Sequence, residues 1–290
     1  MKLLSVFSLI FVLFACVKNN PDPSWVKINT WTLEANSSLN GDEGSLSHNF
    51  SHAWIYADGQ LIGVFELPIK IPILDEGVSE LKIFPVIEDN GISATKKIYP
   101  FVKSYDIQVD LVKNETVVIN PKTSYKDNLD FWIENFDDSF NFKFDSDPNY
   151  PATMIYGNDP QYLQWGSGYG QITVNAQDSA FLGYTENTQD GVFTDWAIGQ
   201  DIYLEIDYRN TNAVVTGLIE TNSAGITNHP MIQLNGQEIG KDVWKKIYID
   251  LREVVSGTPN SFNYRLYLLS AFEGGNPRNI LIDNVKVVHY

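Results

Sequence analysis

The sequence predicts an all-β chain of two bodies in series, a smaller β-sandwich followed by a β jelly roll. Three observations carry this. Apolar and polar residues alternate in short runs rich in β-branched and aromatic side chains, the signature of half-buried strands. Turn residues separate the runs. Near Ser124 to Asn128 a polar stretch marks a change from short runs to longer, aromatic-rich ones, the composition of a boundary between bodies. No stretch requires a helix beyond a turn at Leu251 to Val255.

The chain opens on Lys2 followed by an uncharged apolar run, Leu3 to Ala15, that stops at Cys16, the only cysteine among 290 residues. Thirteen residues are too few to span a bilayer as a helix, so the run reads as an export signal. Leu13-Phe14-Ala15-Cys16 resembles the lipobox of bacterial lipoproteins of the Bacteroidetes type. That resemblance implies cleavage after residue 15, acylation of Cys16, and attachment to the outer membrane through lipid. A simple secretory signal is the alternative. With its single thiol acylated the exported chain has no disulfide, and its 16 Phe, 15 Tyr and 7 Trp must supply the core. Residues 16–24, with Pro21 and Pro23 among polar neighbours, read as a tether.

The formal charge of -16 excludes a nucleic-acid ligand. Phosphate backbones attract Lys/Arg clusters, and the longest basic runs are Lys96-Lys97 and Lys245-Lys246. For the same reason membrane attachment falls to the acyl chains, at about 0.8 kcal/mol per buried methylene.

Residues 25–125 form the first body. Its runs are Val26-Lys27-Ile28, Ala53 to Tyr56, Gln60 to Val64, Glu80 to Val86 and Asp106 to Leu111. Asp58-Gly59, set between alternating apolar residues, signals a hairpin because both residues tolerate positive φ. Trp54 to Gly63, followed by Leu67-Pro68, Pro72, Gly77 and Leu81 to Phe84, resembles PEGA-type immunoglobulin-like modules. The resemblance implies an immunoglobulin-like sandwich acting as a spacer or contact platform.

Residues 129–290 form the second body. Seven alternating runs fit a double-sheet jelly roll: 131–137, 179–184, 202–208, 214–219, 244–251, 264–269 and 280–287. The ordered set of Glu134 to Asp137, Tyr203 to Tyr208, Trp244 to Leu251 and Ile282 to Val285 resembles carbohydrate-binding modules of galactose-binding-like build. That resemblance implies a sugar binder or a structural module, and a structural calcium ion between the first and last strands. Calcium takes carboxylate oxygens, and Glu134, Asp137 and Asp283 are the matching candidates. The alternative is that Asp283 caps a turn.

Catalysis is not expected. The four histidines, His48, His52, His229 and His289, lack metal-binding spacing, and the many acids fall in turns or on alternating strand positions where charge is ordinarily solvated. Sugar binding needs aromatic faces flanked by hydrogen-bonding groups. Tyr162 to Gly170 places three aromatics among glycines, and Asp195-Trp196 is a second candidate. Trp165, Tyr169 and Trp196 are thus the expected glycan platform, with burial in the sandwich as the alternative for each; Trp244 is assigned to the core. Asp178-Ser179-Ala180 resembles a short Bacteroidetes O-glycosylation acceptor. The expected function is a non-catalytic, lipid-anchored envelope protein whose jelly roll binds a glycan or another envelope component. The rival is a scaffold lipoprotein whose partner is another envelope protein.

Overall fold

A computed structural model of the chain describes residues 22–138, 144–185 and 191–290. Cys16, the export signal and most of the tether lie outside the described residues. The first sandwich is built from β1 (Ser24–Ile28), β2 (Thr32–Leu33), β3 (His52–Ala57), β4 (Gln60–Glu66), β5 (Ile69–Ile73), β6 (Gly77–Glu88), β7 (Lys96–Ile98), β8 (Tyr105–Leu111), β9 (Thr116–Ile119) and β10 (Lys122–Thr123). The second body comprises β11 (Asp130–Glu134), β12 (Phe144–Ser146), β13 (Met154–Gly157), β14 (Tyr169–Val174), β15 (Ala180–Thr185), β16 (Tyr203–Asn210), β17 (Val214–Asn222), β18 (Gly225–Leu234), β19 (Lys245–Asp250), β20 (Asn263–Ala271) and β21 (Arg278–His289). Among the described residues one α-helix, α1 (Arg252–Gly257), stands where the sequence asks for a turn, and a single 3-10 turn covers Ser37–Leu39.

The chain is all-β, an immunoglobulin-like sandwich followed by a jelly roll. In the first body the sheet β5-β1-β9 faces the sheet β4-β3-β6-β7, to which β8 adds along β6. The alternation read from the sequence sets the layers: Ser79, Leu81 and Ile83 of β6 point inward while Glu80 and Lys82 point out. Asp58 and Gly59 adopt φ of 46° and 77°, which closes the β3–β4 hairpin. The Asp58 carboxylate then accepts hydrogen bonds from Ser79 Oγ at 2.7 Å and Glu80 N at 2.8 Å, tying the turn to β6.

The jelly roll stacks the sheet β13-β14-β21-β16-β19, with β11 along β21, on the sheet β12-β15-β20-β17-β18. Its core lies between them and includes Leu204, Ile206, Ile249 and Val287 from one sheet and Phe181, Leu218, Leu266 and Leu268 from the other. The opposite face of the first sheet is where the structure departs from expectation. Tyr203, Glu205 and Asp207 of β16, Lys246 and Tyr248 of β19, and Lys286 and Val288 of β21 alternate with those core residues, yet all are buried. The first sandwich covers them. Tyr99 packs edge-on against Tyr203, with ring centroids 5.4 Å apart, and Phe50 stacks on Tyr248 at 5.9 Å. The alternating charges expected to be solvated therefore sit in the seam between the two bodies.

Candidate functional site

The seam holds a buried polar network. Glu205, fully buried, accepts hydrogen bonds from Tyr99 Oη at 2.5 Å and Tyr125 Oη at 2.8 Å. Its second oxygen has no well-aligned hydrogen-bond donor and is compensated by the Lys246 ammonium 2.9 Å away. Burial disfavours charge on both partners, but their mutual attraction wins: Glu205 is held below, and Lys246 above, its ordinary range. Burial pushes Asp207 up, against the pull of Lys246. Burial also lowers Lys286 to about 8, although Glu205 opposes it.

This network fastens the loop between β2 and β3 onto the jelly roll. Ser47 Oγ donates to Asp207 Oδ2, Lys246 Nζ donates to Ser47 Oγ at 3.0 Å, and Lys286 Nζ donates to the Ser45 carbonyl at 3.0 Å. Asn49 N donates to Tyr248 Oη at 2.9 Å. So fixed, residues 46–49 form one side of a groove of about 680 Å³. Asp207, Lys246 and Tyr248 lie at its base, and Gln164 and Trp165 form the other side together with Trp244 and Lys245. His48 stacks on Phe50 with centroids 5.0 Å apart; burial, then the neighbouring Lys246, lower its pKa, so it offers a neutral imidazole.

The loop from Asp159 to Ser167 is held just as firmly. Trp244 Nε1 donates to the Tyr162 carbonyl at 2.7 Å, and the Arg209 guanidinium lies 4.6 Å over the Tyr162 ring. Ser167 N donates to Asp137 Oδ1. Gly166 sits at φ +49°, and a Cβ there would fall 2.0 Å from Asp137 Oδ1, so the close approach of loop and carboxylate requires glycine. The result is an edge-to-face pair, Trp165 and Trp244, with centroids 5.4 Å apart at 74°. Such a groove, two indoles beside fixed hydrogen-bond donors and acceptors, can stack on an apolar ring face and hydrogen-bond its hydroxyls.

The expected platform is not assembled. Trp165 is half-buried at the groove, but Tyr169 is buried behind it, its hydroxyl accepting from Asp159 N at 3.3 Å. Trp196 lies in the jelly-roll core, stacked between Phe193 at 4.5 Å and Tyr264 at 5.5 Å. Apolar burial outweighs exposure for a ring that can be sandwiched on both faces. Trp196→Phe is accordingly expected to cost about 1–2 kcal/mol of stability, read by urea unfolding, while any ligand affinity stays unchanged. Trp244, assigned to the core from its place ahead of a strand, instead lines the groove. Asp207, Lys246 and His48 were missed as well. Strand parity does put Asp207 and Lys246 on the non-core face, but only the covering sandwich turns that face into the base of a groove.

Each of the three acids proposed for calcium accepts hydrogen bonds of its own, and the carboxylates of Asp207 and Asp137 act on Asp283. Glu134 accepts from Phe136 N at 2.7 Å, Asp137 is held by Ser167 and by Asn135 Nδ2 at 2.9 Å, and Asp283 Oδ1 accepts from Asn284 N at 2.7 Å. Among the described residues no three His, Cys, Asp or Glu side chains converge as metal ligands.

No protein-family model matches the chain, and no curated protein is significantly similar to it. Among solved structures, it is similar to a carbohydrate-binding module from a study of promiscuous specificity in the β-sandwich superfamily, with 14% identity over 81% of this chain and 83% of that one, TM-score 0.39. A family 28 carbohydrate-binding module specific for non-crystalline cellulose shares 12% identity over 52% of this chain and 89% of that one, TM-score 0.37. The enzymatically active domain of bacteriophage CBA120 tailspike protein 4 matches at 14% identity and TM-score 0.37 over 54% of this chain, which spans only 20% of that domain. At these values the likeness is one of outline and assigns no residue a role.

Proposed function

We propose that the chain is a lipid-anchored protein of the cell envelope, acylated at Cys16, that binds a glycan without cleaving it. The observation carrying this reading is the seam groove, where Trp165 and Trp244 face side-chain amides, a neutral imidazole and a lysine-carboxylate pair held rigid by both bodies. Glu88 and Asp207 offset Lys245 and Lys246 along its lining. A near-balanced site in a chain of net charge -16 suits a neutral sugar better than a polyanion. Trp165→Ala and Trp244→Ala are each expected to weaken retention on neutral oligosaccharides about tenfold to a hundredfold. Glycan arrays followed by calorimetry on the full chain are the check. A parent protein that retains no glycan removes the reading, and release of new reducing ends from a bound oligosaccharide would remove its non-catalytic part.

A second reading, a scaffold that contacts another envelope protein, is favoured by an apolar groove of about 330 Å³ on the outer face of the first sandwich. Tyr56 and Phe84 line it edge to face, with centroids 6.0 Å apart. Crosslinking from that face in intact cells to a defined envelope protein, with arrays blank, would select it.

A further inference from the structure

Where the chain enters the first sandwich is fixed by backbone bonds. Asn114 N donates to the Pro23 carbonyl at 3.0 Å, Trp25 N to the Glu115 carbonyl at 2.9 Å, and Ser24 Oγ to the Asp75 carbonyl at 2.9 Å. The entry point is thereby clasped between two turns, the one joining β5 to β6 and the one joining β8 to β9. Lys113 Nζ, 2.7 Å from Glu76 Oε2, links the two turns to each other.

Those same turns carry aliphatic side chains with no core to fill. Leu74 is 70% exposed, Val78 76% and Val112 41%. Gly77 pairs with Leu111 and Val78 with Asp110 across the β6–β8 ladder, so Val78 and Val112 come out at the same end of the sheet. Trp25, half-buried on the outer face of β1 at the chain entry, carries the Lys70 ammonium 4.8 Å over its ring. An indole with one wet side and an aliphatic cluster around a chain entry is the composition of a membrane-interface contact.

Chain length ties this end of the molecule to lipid. Eight peptide units separate Cys16 from Ser24, a reach on the order of 28 Å at full extension, and the uncharged run Leu3 to Ala15 lies immediately before. A body tethered so closely at this end meets the bilayer with this end. The surrounding charge selects the lipid: Asp22, Asp75, Glu76, Asp110 and Glu115 outnumber Lys27, Lys70 and Lys113, so anionic headgroups are repelled.

We propose that Leu74, Val78 and Val112 rest in the interfacial layer of a membrane of zwitterionic lipid, orienting the seam groove away from it. This inference rests on the lipid-anchor part of the function proposed above. Its test is the full-length acylated chain in phosphatidylcholine vesicles, with an environment-sensitive fluorophore on Val78→Cys or, as the control on the jelly roll's β17–β18 hairpin, on Ile226→Cys. The Val78 label should shift to the blue and be quenched by brominated lipid, and the Ile226 label should do neither. Adding phosphatidylglycerol should shrink the Val78 shift. Protein that floats with vesicles while its Val78 label keeps the aqueous spectrum overturns the contact and leaves the anchor standing. Protein that fails to float overturns both.

Discussion

Lys246→Met is expected to cost about 3–5 kcal/mol of stability, the range for removing one partner of a buried ion pair. The ammonium lies 2.9 Å from Glu205 and 3.7 Å from Asp207, and all three side chains are almost wholly shielded from water. Take it away and two carboxylates face each other with only Lys286 close by, itself disfavoured as a cation by burial. The loss also reaches the groove, because Lys246 donates to Ser47 and so helps fasten residues 46–49. Urea unfolding followed by tryptophan fluorescence would measure the cost, and combining the change with Glu205→Gln should recover part of it, since the uncompensated charge then disappears. A single variant within about 1 kcal/mol of the parent would mean that the seam is hydrated and the network carries little energy.

Asp283→Asn is expected to do the opposite and stabilise the protein near neutral pH. Burial, reinforced by the carboxylates of Asp207 and Asp137 against a hydrogen bond from Asn284 N, pushes the Asp283 carboxyl up to about 8 from an ordinary 3.8. Its folded value lies above its unfolded one. The stability it contributes is therefore fully present below pH 3.8 and is lost as the pH rises through about 8. An asparagine keeps the oxygen that accepts from Asn284 N and has no proton to lose. In EDTA the two proteins should be close at pH 4, and the variant should draw ahead progressively up to pH 8, by several kcal/mol at most, judged by urea midpoints at each pH. A flat difference across that range refutes the raised carboxyl. Loss of stability on substitution, seen only with calcium added, would restore Asp283 to the ligand set implied by the family resemblance.

These two residues mark the division between what alternation reveals and what it conceals. Lys246 sits where period-two patterning puts it, on a strand whose other face is apolar; Asp283 reaches the same face through a bulge at Asn284 that interrupts the period. Patterning assigns a face. It does not say whether water or another sheet lies against it. The same limit explains the aromatics: Trp196 and Trp165 both occur in turn-rich stretches, but Trp196 finds Phe193 and Tyr264 to either side and disappears into the core, whereas Trp165 meets Trp244 at the seam.

By itself the amino-acid order determined the all-β class, the two sandwiches, the Asp58-Gly59 hairpin and the strand faces, because each follows from local backbone preference and the two-residue period of a strand. Only the tertiary structure decided which charged face is dry, that Trp244 opens onto a groove, and that Trp196 fills the core. Those outcomes depend on contacts between residues up to 241 positions apart, as between Ser45 and Lys286. The free energy of burying a charge is set by whatever packs against it, and no local pattern records that.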